Sequence, residues 1–571
     1  MMFEDLDLSE IHEENARELI KRLLNLVEQL NTDLRSSQAE VQRLRDEVNR
    51  LKGEQGKPNV KGNISKPPAT NHSSEKERHT ARPRHKSKKK TEIKIDREQV
   101  VEVDPSRLPA DAKFKGYEDV VVQDILLCSN NTLFHKQKYY SASNGKTYVA
   151  ELPCGYEGQF GPGIKALSLV LYFGMGTSEP TKRLRLSGEI LEFYENASIQ
   201  ISDGELSNLL LKNHEDFHAE SAAVYEAGLR SSPWQHIDDT ETRVNGQNEH
   251  CHVVCNPVYT SYHTRPHKDR LSVLDVLRQG RARMFRLNEE ALDSLEQVAL
   301  SKAAQQVLPG WCREQDLDEV AFQERLDSAL PDLNPQQRTA ILSAAAIAAY
   351  HAERDHPIVQ ALVCDDAPQF KGLTHWLMLC WVHEGRAYKK LIPVVALHRN
   401  LQEEFCKRFW NYYDQLLNYR QNPTPKEAIR LEAEFDQLFT TRTEYAELDK
   451  QIARTHSKKE SLLLVLKYPE LPLQSAAFLP YNNPAELGVR QRVRKRDVSF
   501  GPRTQEGKQA WDAFQTLAAT TKKLKVSFYE YIRDRILKKN VIPPLPELIQ
   551  QAARELNLGR SWSFANPSLL R

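Results

Sequence analysis

From residue 20 to 51 apolar side chains recur every seven positions. Ile20, Val27, Leu34, Val41 and Val48 occupy one heptad position, Leu23, Leu30, Leu44 and Leu51 another, and Ser37 is the one interruption. A mostly β-branched a position with leucine at d favours a parallel two-stranded coiled coil, and Gly53 supplies a stop. The spacing therefore predicts a dimerisation helix over 9–53, with a long helix packed on its own protein as the alternative. The pattern then disappears. Residues 54–98 are rich in Gly, Pro, Ser, Asn and His and read as a disordered linker ending in a basic run, with Arg82, Arg84, Lys88, Lys89 and Lys90. Such a run is either a solvated spacer or a contact for DNA phosphates, without reading sequence.

Over 99–162 short β-like runs alternate with turn signals such as Asn144-Gly145, predicting a small β-rich region. The pattern turns helical over 163–230. Residues 180–194 read as one helix, and Ser202-Asp-Gly-Glu205 is a capping box opening the next. Two short, tightly linked helices fit a helix-turn-helix DNA-binding region or a plain packed pair. Over 231–500 the order is three strand-like runs at 237–244, 252–255 and 258–262, a helix at 271–278, and helical sequence over 288–354. Apolar strands follow at 358–364 and 376–382. This order predicts an α/β domain of ribonuclease H type with helical insertions at 281–356 and 397–470. A C-terminal helical region, 501–571, closes the chain, with helices at 505–517, from Ser527, and at 546–556.

Composition narrows the class. With 571 residues, 40% hydrophobic and 27% charged, the chain needs several cores and is not wholly disordered. The longest weakly polar run, 341–350, is too short for a membrane span, and the acidic start lacks the order of a secretory signal. A cytoplasmic protein is expected. The eight cysteines form no paired CxxC knuckles, and Cys251 and Cys255 read as core residues in a β-like run. The formal charge of +1 conceals an acidic start and two basic stretches further along.

Carboxylates supply the candidate chemistry. Asp238 and Asp239 are adjacent inside the first strand, so only one can face a given site; a solvated acidic edge is the alternative. Asp365 and Asp366 follow a buried strand, where open α/β sheets place ligands, although an Asp there is also a common turn. Glu486, in Asn482-Asn-Pro-Ala-Glu486, has the spacing of a helix cap with Asn483. Behind it come Arg490, Arg492, Arg494, Lys495 and Arg496, enough charge to hold a phosphate backbone. Three such carboxylates brought together could bind two Mg²⁺ or Mn²⁺ ions and carry out phosphoryl transfer.

The segments His236-Ile-Asp-Asp-Thr240, Leu362-Val-Cys-Asp-Asp-Ala-Pro-Gln-Phe370, Leu379-Cys-Trp-Val-His-Glu-Gly-Arg386 and Asn482-Asn-Pro-Ala-Glu-Leu487 resemble the DDE transposases of bacterial insertion sequences, group sixty-six. The likeness runs from about residue 100 to 550. It implies Asp238, Asp365 and Glu486 as catalytic metal ligands, two Mg²⁺ (or Mn²⁺) ions, a ribonuclease H-like fold, and cleavage and joining of double-stranded DNA by a homodimer. His383 and Arg386 match a segment associated with the site, with a role in positioning phosphate; a strand-closing core hydrogen bond is the alternative for His383. The expected DNA contacts are these two with Asn483, Arg490, Arg494, Lys495, Arg496 and the linker residues. Two other functions stay open: a catalytically silent DNA-binding derivative, and a nuclease of the same fold without strand transfer.

Overall fold

The computed structural model describes residues 12–51, 95–104, 108, 112–125, 128–177, 188–296, 298–311, 315–473, 484–499 and 501–562; of residues 50, 51 and 484–487 it describes the backbone alone. The linker residues Arg82, Arg84, Lys88, Lys89 and Lys90, and Asn483, lie outside the described residues.

Five strands form the central sheet: β1 Trp234–Val244, β2 Gln247–Asn256, β3 Tyr259–Arg265, β4 Ala361–Cys364 and β5 Trp376–Leu379. Their order is β3-β2-β1-β4-β5. The first three form an antiparallel meander, and β4 and β5 add in parallel beside β1. Asn245-Gly246 makes the first hairpin, with φ of 49° and 79°. Two consecutive positive φ values match the right-handed twist of the strands, and Asn-Gly tolerates them best. A crossover is needed to bring β4 parallel to β1, and the first helical insertion supplies it.

Helix α1 is Glu14–Leu51. Before the sheet come α2 Pro162–Leu169, continued by one turn of π-helix, α3 Glu189–Asn196, α4 Asp203–Leu211 and α5 Glu215–Arg230. Between β3 and β4 lie α6 Arg270–Leu277, α7 Glu289–Leu295, α8 Lys302–Val307, α9 Glu319–Ala329 and α10 Pro335–His351. After β5 follow α11 Trp381–Lys390, α12 Ala396–Gln421, α13 Pro425–Phe439, α14 Ala446–His456, α15 Lys459–Leu462 and α16 Leu464–Lys467. The chain ends with α17 Pro484–Ser499, α18 Gln505–Lys523, α19 Phe528–Ile536 and α20 Leu545–Glu555. Side-chain caps set many of these starts. Ser202, Asp269, Asn334, Thr424, Thr504 and Ser527 each accept a hydrogen bond from the backbone N–H three residues on.

One core joins α2–α10 and α18–α20 to one face of the sheet, so the 163–230 helices share a core with the strands. A second, aromatic core fills the space between β4, β5 and α11–α16, with Trp381 ringed by Phe409, Tyr412, Phe435 and Phe439. The exposed edge of β3 is closed by α18. Its Thr520, Thr516 and Asp512, four residues apart on one helix face, accept from the backbone N–H of Thr260, Tyr262 and Thr264 at 3.3, 3.1 and 2.7 Å. A free edge is thereby removed as a template for stray pairing.

Two expectations need correction, and a third is described only in part. The apolar run 376–382 is not one strand: β5 stops at Leu379, and Trp381 and Val382 open α11, because Trp381 turns into the aromatic core and donates to the carbonyl of Leu462. The β-rich region contains, among the described residues, a single hairpin, Lys138–Ser141 with Lys146–Val149. It turns at Gly145 (φ 65°) and is largely exposed among the described residues. The helix expected over 180–194 is described only from Glu189.

Helix α1 forms as expected but one face of it is docked. Glu28, 2% exposed, accepts from Val394 N and Val395 N at 3.0 and 2.9 Å and faces His398 at 3.3 Å, capping the start of α12 from another element. Lys21 pairs with Glu444 at 2.6 Å. The heptad side chains Leu23, Leu30, Leu34, Val41, Leu44 and Val48 lie on the exposed surface. Cys251 and Cys255 are fully buried, as expected of core residues. No helix among the described residues is long and apolar enough to cross a membrane.

Candidate active site

Register places the first two carboxylates. Trp234, Gln235 and His236 of β1 pair with Ala361, Leu362 and Val363 of β4, and continuing that alignment sets Asp238 beside Asp365. Asp365 sits one residue past β4, at the C-terminal ends of parallel strands, where backbone N–H groups are not used by the ladder. Its Oδ1 accepts from Ala367 N at 3.1 Å, so it opens the β4–β5 connection as a turn residue while remaining next to Asp238.

Asp238 and Asp239 go to opposite faces. Asp238 pairs with Val253 of β2, and directly opposed residues share a face. Helix α17 lies on that face: a Cβ on Gly488 would come 2.8 Å from Val253 Cγ1, and Tyr262 Oη donates to the Gly488 carbonyl at 3.1 Å. Asp239 pairs with His252 on the other face and accepts from Gln369 Nε2 at 2.7 Å. Of the adjacent aspartates, Asp238 therefore shares the Asp365 neighbourhood with α17. Glu486 lies in the first turn of α17, two residues before the Gly488 contact; its side chain is outside the described residues.

The site is electrostatically crowded. Burial, with the neighbouring charge of Asp365, pushes the Asp238 carboxyl up to about 7, while His383 and the Asp239 N–H at 2.8 Å pull the other way. His383, in the first turn of α11, is raised in its turn: burial disfavours its imidazolium, but the Cys380 contact and the Asp238 charge outweigh that. Arg386 Nη1 is 3.2 Å from His383 Nε2 on the same helix face. His383 thus faces the carboxylates from a helix start and does not close a strand.

Several polar partners left no trace in the sequence pattern. Lys458, between α14 and α15, reaches Asp366 and Glu384 at 2.9 Å each, and Lys371 reaches Asp366 at 2.7 Å. These cations hold the Asp366 carboxyl below the usual range against the effect of burial. Buried Glu384 also accepts from Thr455 and Gln451 at 2.6 and 3.1 Å, tying α11 to α14. Apart from Lys371 with Asp366, these pairings join residues far apart in sequence and belong to no local motif.

The basic run of α17 divides. Arg492 is fully buried, 3.0 Å from Asp512 and hydrogen-bonded to Gln515 and Thr264. Lys495 is 1% exposed, its ammonium 3.1 Å from the Tyr172 ring and 3.0 Å from the Thr177 carbonyl. The expectation that Lys495 contacts DNA is corrected: its charge is engaged inside the protein. Arg496 donates to the Glu241 carbonyl and is partly exposed, Arg490 is half-buried, and Arg494 is exposed.

The two aspartates offer hard oxygen donors side by side, a set suited to a divalent cation such as Mg²⁺ or Mn²⁺. A cation there would also relieve the repulsion that lifts the Asp238 pKa.

No family model matches the chain. Over 333 residues it is 32% identical to the uncharacterized protein y4jO of Sinorhizobium fredii, which covers 58% of this chain and 100% of that protein. The chain belongs to one family with y4jO, whose name assigns no activity.

Proposed function

We propose that the chain is a DDE-type transposase of ribonuclease H-like fold, cutting and joining double-stranded DNA with Asp238, Asp365 and Glu486 as metal ligands. The observation that carries this reading is that Asp238, within β1, lies beside Asp365, one residue past β4, on the face crossed by the helix that bears Glu486. Three antiparallel strands, then the helices α6–α10 and two added parallel strands, agree with the order that the fold reading expects once α7–α10 are counted as its helical insertion. When bound, two Mg²⁺ or Mn²⁺ ions supply a Lewis acid for the attacking and leaving oxygens of an in-line displacement. The chain's own residues hold the strand: Arg494 and Arg490 lie along α17 beyond Glu486, and His383 with Arg386 faces the carboxylates across the site. Water attacking a phosphodiester leaves a 5′-phosphate and frees a 3′-hydroxyl, and at the same site that hydroxyl attacks a target-strand phosphodiester, joining to its phosphorus and releasing the target's own 3′-hydroxyl. The partner is double-stranded DNA, and the exposed heptad seam of α1 pairs two copies.

The test is to incubate the purified full-length protein with Mg²⁺ and labelled DNA carrying the inverted repeats that flank its coding region. End cleavage followed by joined products is expected. No cleavage sinks the enzyme reading and leaves a DNA-binding derivative; nicking that never proceeds to joining points to a nuclease.

A further inference from the structure

Away from the carboxylate pair, three side chains converge where the first helical insertion meets the β4–β5 connection. Glu290 is in the first turn of α7, His351 is the last residue of α10, and His375 immediately precedes β5. One donor atom from each lies within 4.8 Å of the others.

His351 is pinned at both nitrogens. Nε2 lies 3.1 Å from the Leu373 carbonyl oxygen, and Nδ1 lies 2.5 Å from Glu290 Oε1. A carbonyl only accepts, so Nε2 carries the hydrogen. In the neutral ring Nδ1 is then a lone pair aimed at an anionic oxygen, an arrangement that repels unless a proton or a cation lies between them. An imidazole anchored through one nitrogen to a backbone carbonyl, with the other presented outward, is the usual support for a metal ligand. His375 decides between proton and cation. Its ring centre is 4.2 Å from that of His351. A proton serves Glu290 and His351 alone, whereas a cation uses all three donors.

We propose that Glu290, His351 and His375 bind a transition-metal dication of the Zn²⁺ class, which clamps the first helical insertion to the connection that begins at Asp365. Two imidazole nitrogens and one carboxylate suit Zn²⁺, with water in the fourth position, and are a poor set for Mg²⁺. Metal–ligand bonds of about 2.0–2.2 Å in a tetrahedral site put donors roughly 3.3 Å apart. Glu290 must therefore draw back from His351 by about 1 Å, and its side chain, 42% exposed, has room to rotate. The site is independent of the transposase reading, because none of its three ligands belongs to the carboxylate pair.

The full-length protein, stripped with chelator and titrated with Co²⁺, tests the proposal. One equivalent giving the visible bands of tetrahedral Co²⁺ is expected, displaced by Zn²⁺ and indifferent to excess Mg²⁺. His375→Gln, at an exposed position, should weaken the binding that gives the tetrahedral Co²⁺ bands by at least about tenfold, as should Glu290→Gln, while Asp365→Asn leaves those bands in place. Wild-type protein that develops no such bands overturns the proposal, and so does a His375→Gln protein that binds Co²⁺ with wild-type affinity and spectrum.

Discussion

Asp238 holds a charge that its surroundings oppose, and the cost is measurable. Its folded pKa is raised above the unfolded value, so the folded state holds the proton more tightly. Stability is present at low pH and is lost as pH rises from about 4 toward 7. In metal-stripped protein, Asp238→Asn removes that cost. It is expected to raise the unfolding free energy at pH 8 by an amount on the order of 1–4 kcal/mol and to change little at pH 4, read from urea unfolding at both values. At this scale the sequence narrowed the choice without completing it. Asp238 and Asp239 are chemically identical neighbours, and only pairing with Val253 as against His252 assigns each to a face. The basic run after Glu486 was legible as charge but not as location. Helical geometry turns Arg492 and Lys495, three residues apart, onto one inward face and leaves Arg494 outside.

Elements locate the residues through a few tight contacts. Gly488 lets α17 lie directly on Val253, the strand partner of Asp238. Gly488→Ala would put a methyl group into that contact, costing about 1–3 kcal/mol and lifting the start of α17 from the sheet. Strand cleavage should fall at least about tenfold while DNA retention in a mobility-shift assay is preserved. Unchanged cleavage would mean that the seating of α17 does not matter to the site. Glu28 makes a second such contact, capping α12 from α1. Glu28→Ala should cost about 1–2 kcal/mol, the scale of a lost cap, and speed hydrogen exchange at the Val394 and Val395 amides. Neither contact was visible in periodicity. The heptads revealed the helix of α1 but not that its Lys21–Glu28 flank packs on its own chain. In the same way, the apolar run 376–382 gave no sign of where strand yields to helix, because both conformations bury Trp381 and its neighbours.

At the scale of the molecule, local patterns announced the elements and long-range pairing arranged them. Caps at Ser202 and Thr424 and the apolar run ending at Cys364 were readable in place. The strand order, the edge seal by α18 and the core shared between the 163–230 helices and the sheet were not, since each depends on partners far along the chain. Helix α1 is docked on one flank and presents apolar heptad positions on the other, an arrangement that leaves room for a second copy. Replacing Leu30 and Leu44 together by Lys is expected to convert a dimer to a folded monomer in sedimentation, because a charge at each of two seam positions cannot be buried. A wild-type protein that already sediments as a monomer would contradict the pairing.

In the proposed reaction Asp238, within β1, and Asp365, just past β4, act together on DNA through divalent metal. The direct measurement is Mg²⁺-dependent cleavage of end-bearing DNA by wild type and Asp365→Ala at equal occupancy of the DNA. Unchanged binding and a loss of cleavage of about a hundredfold or more are expected in the variant; cleavage by Asp365→Ala at the wild-type rate would contradict the carboxylate assignment.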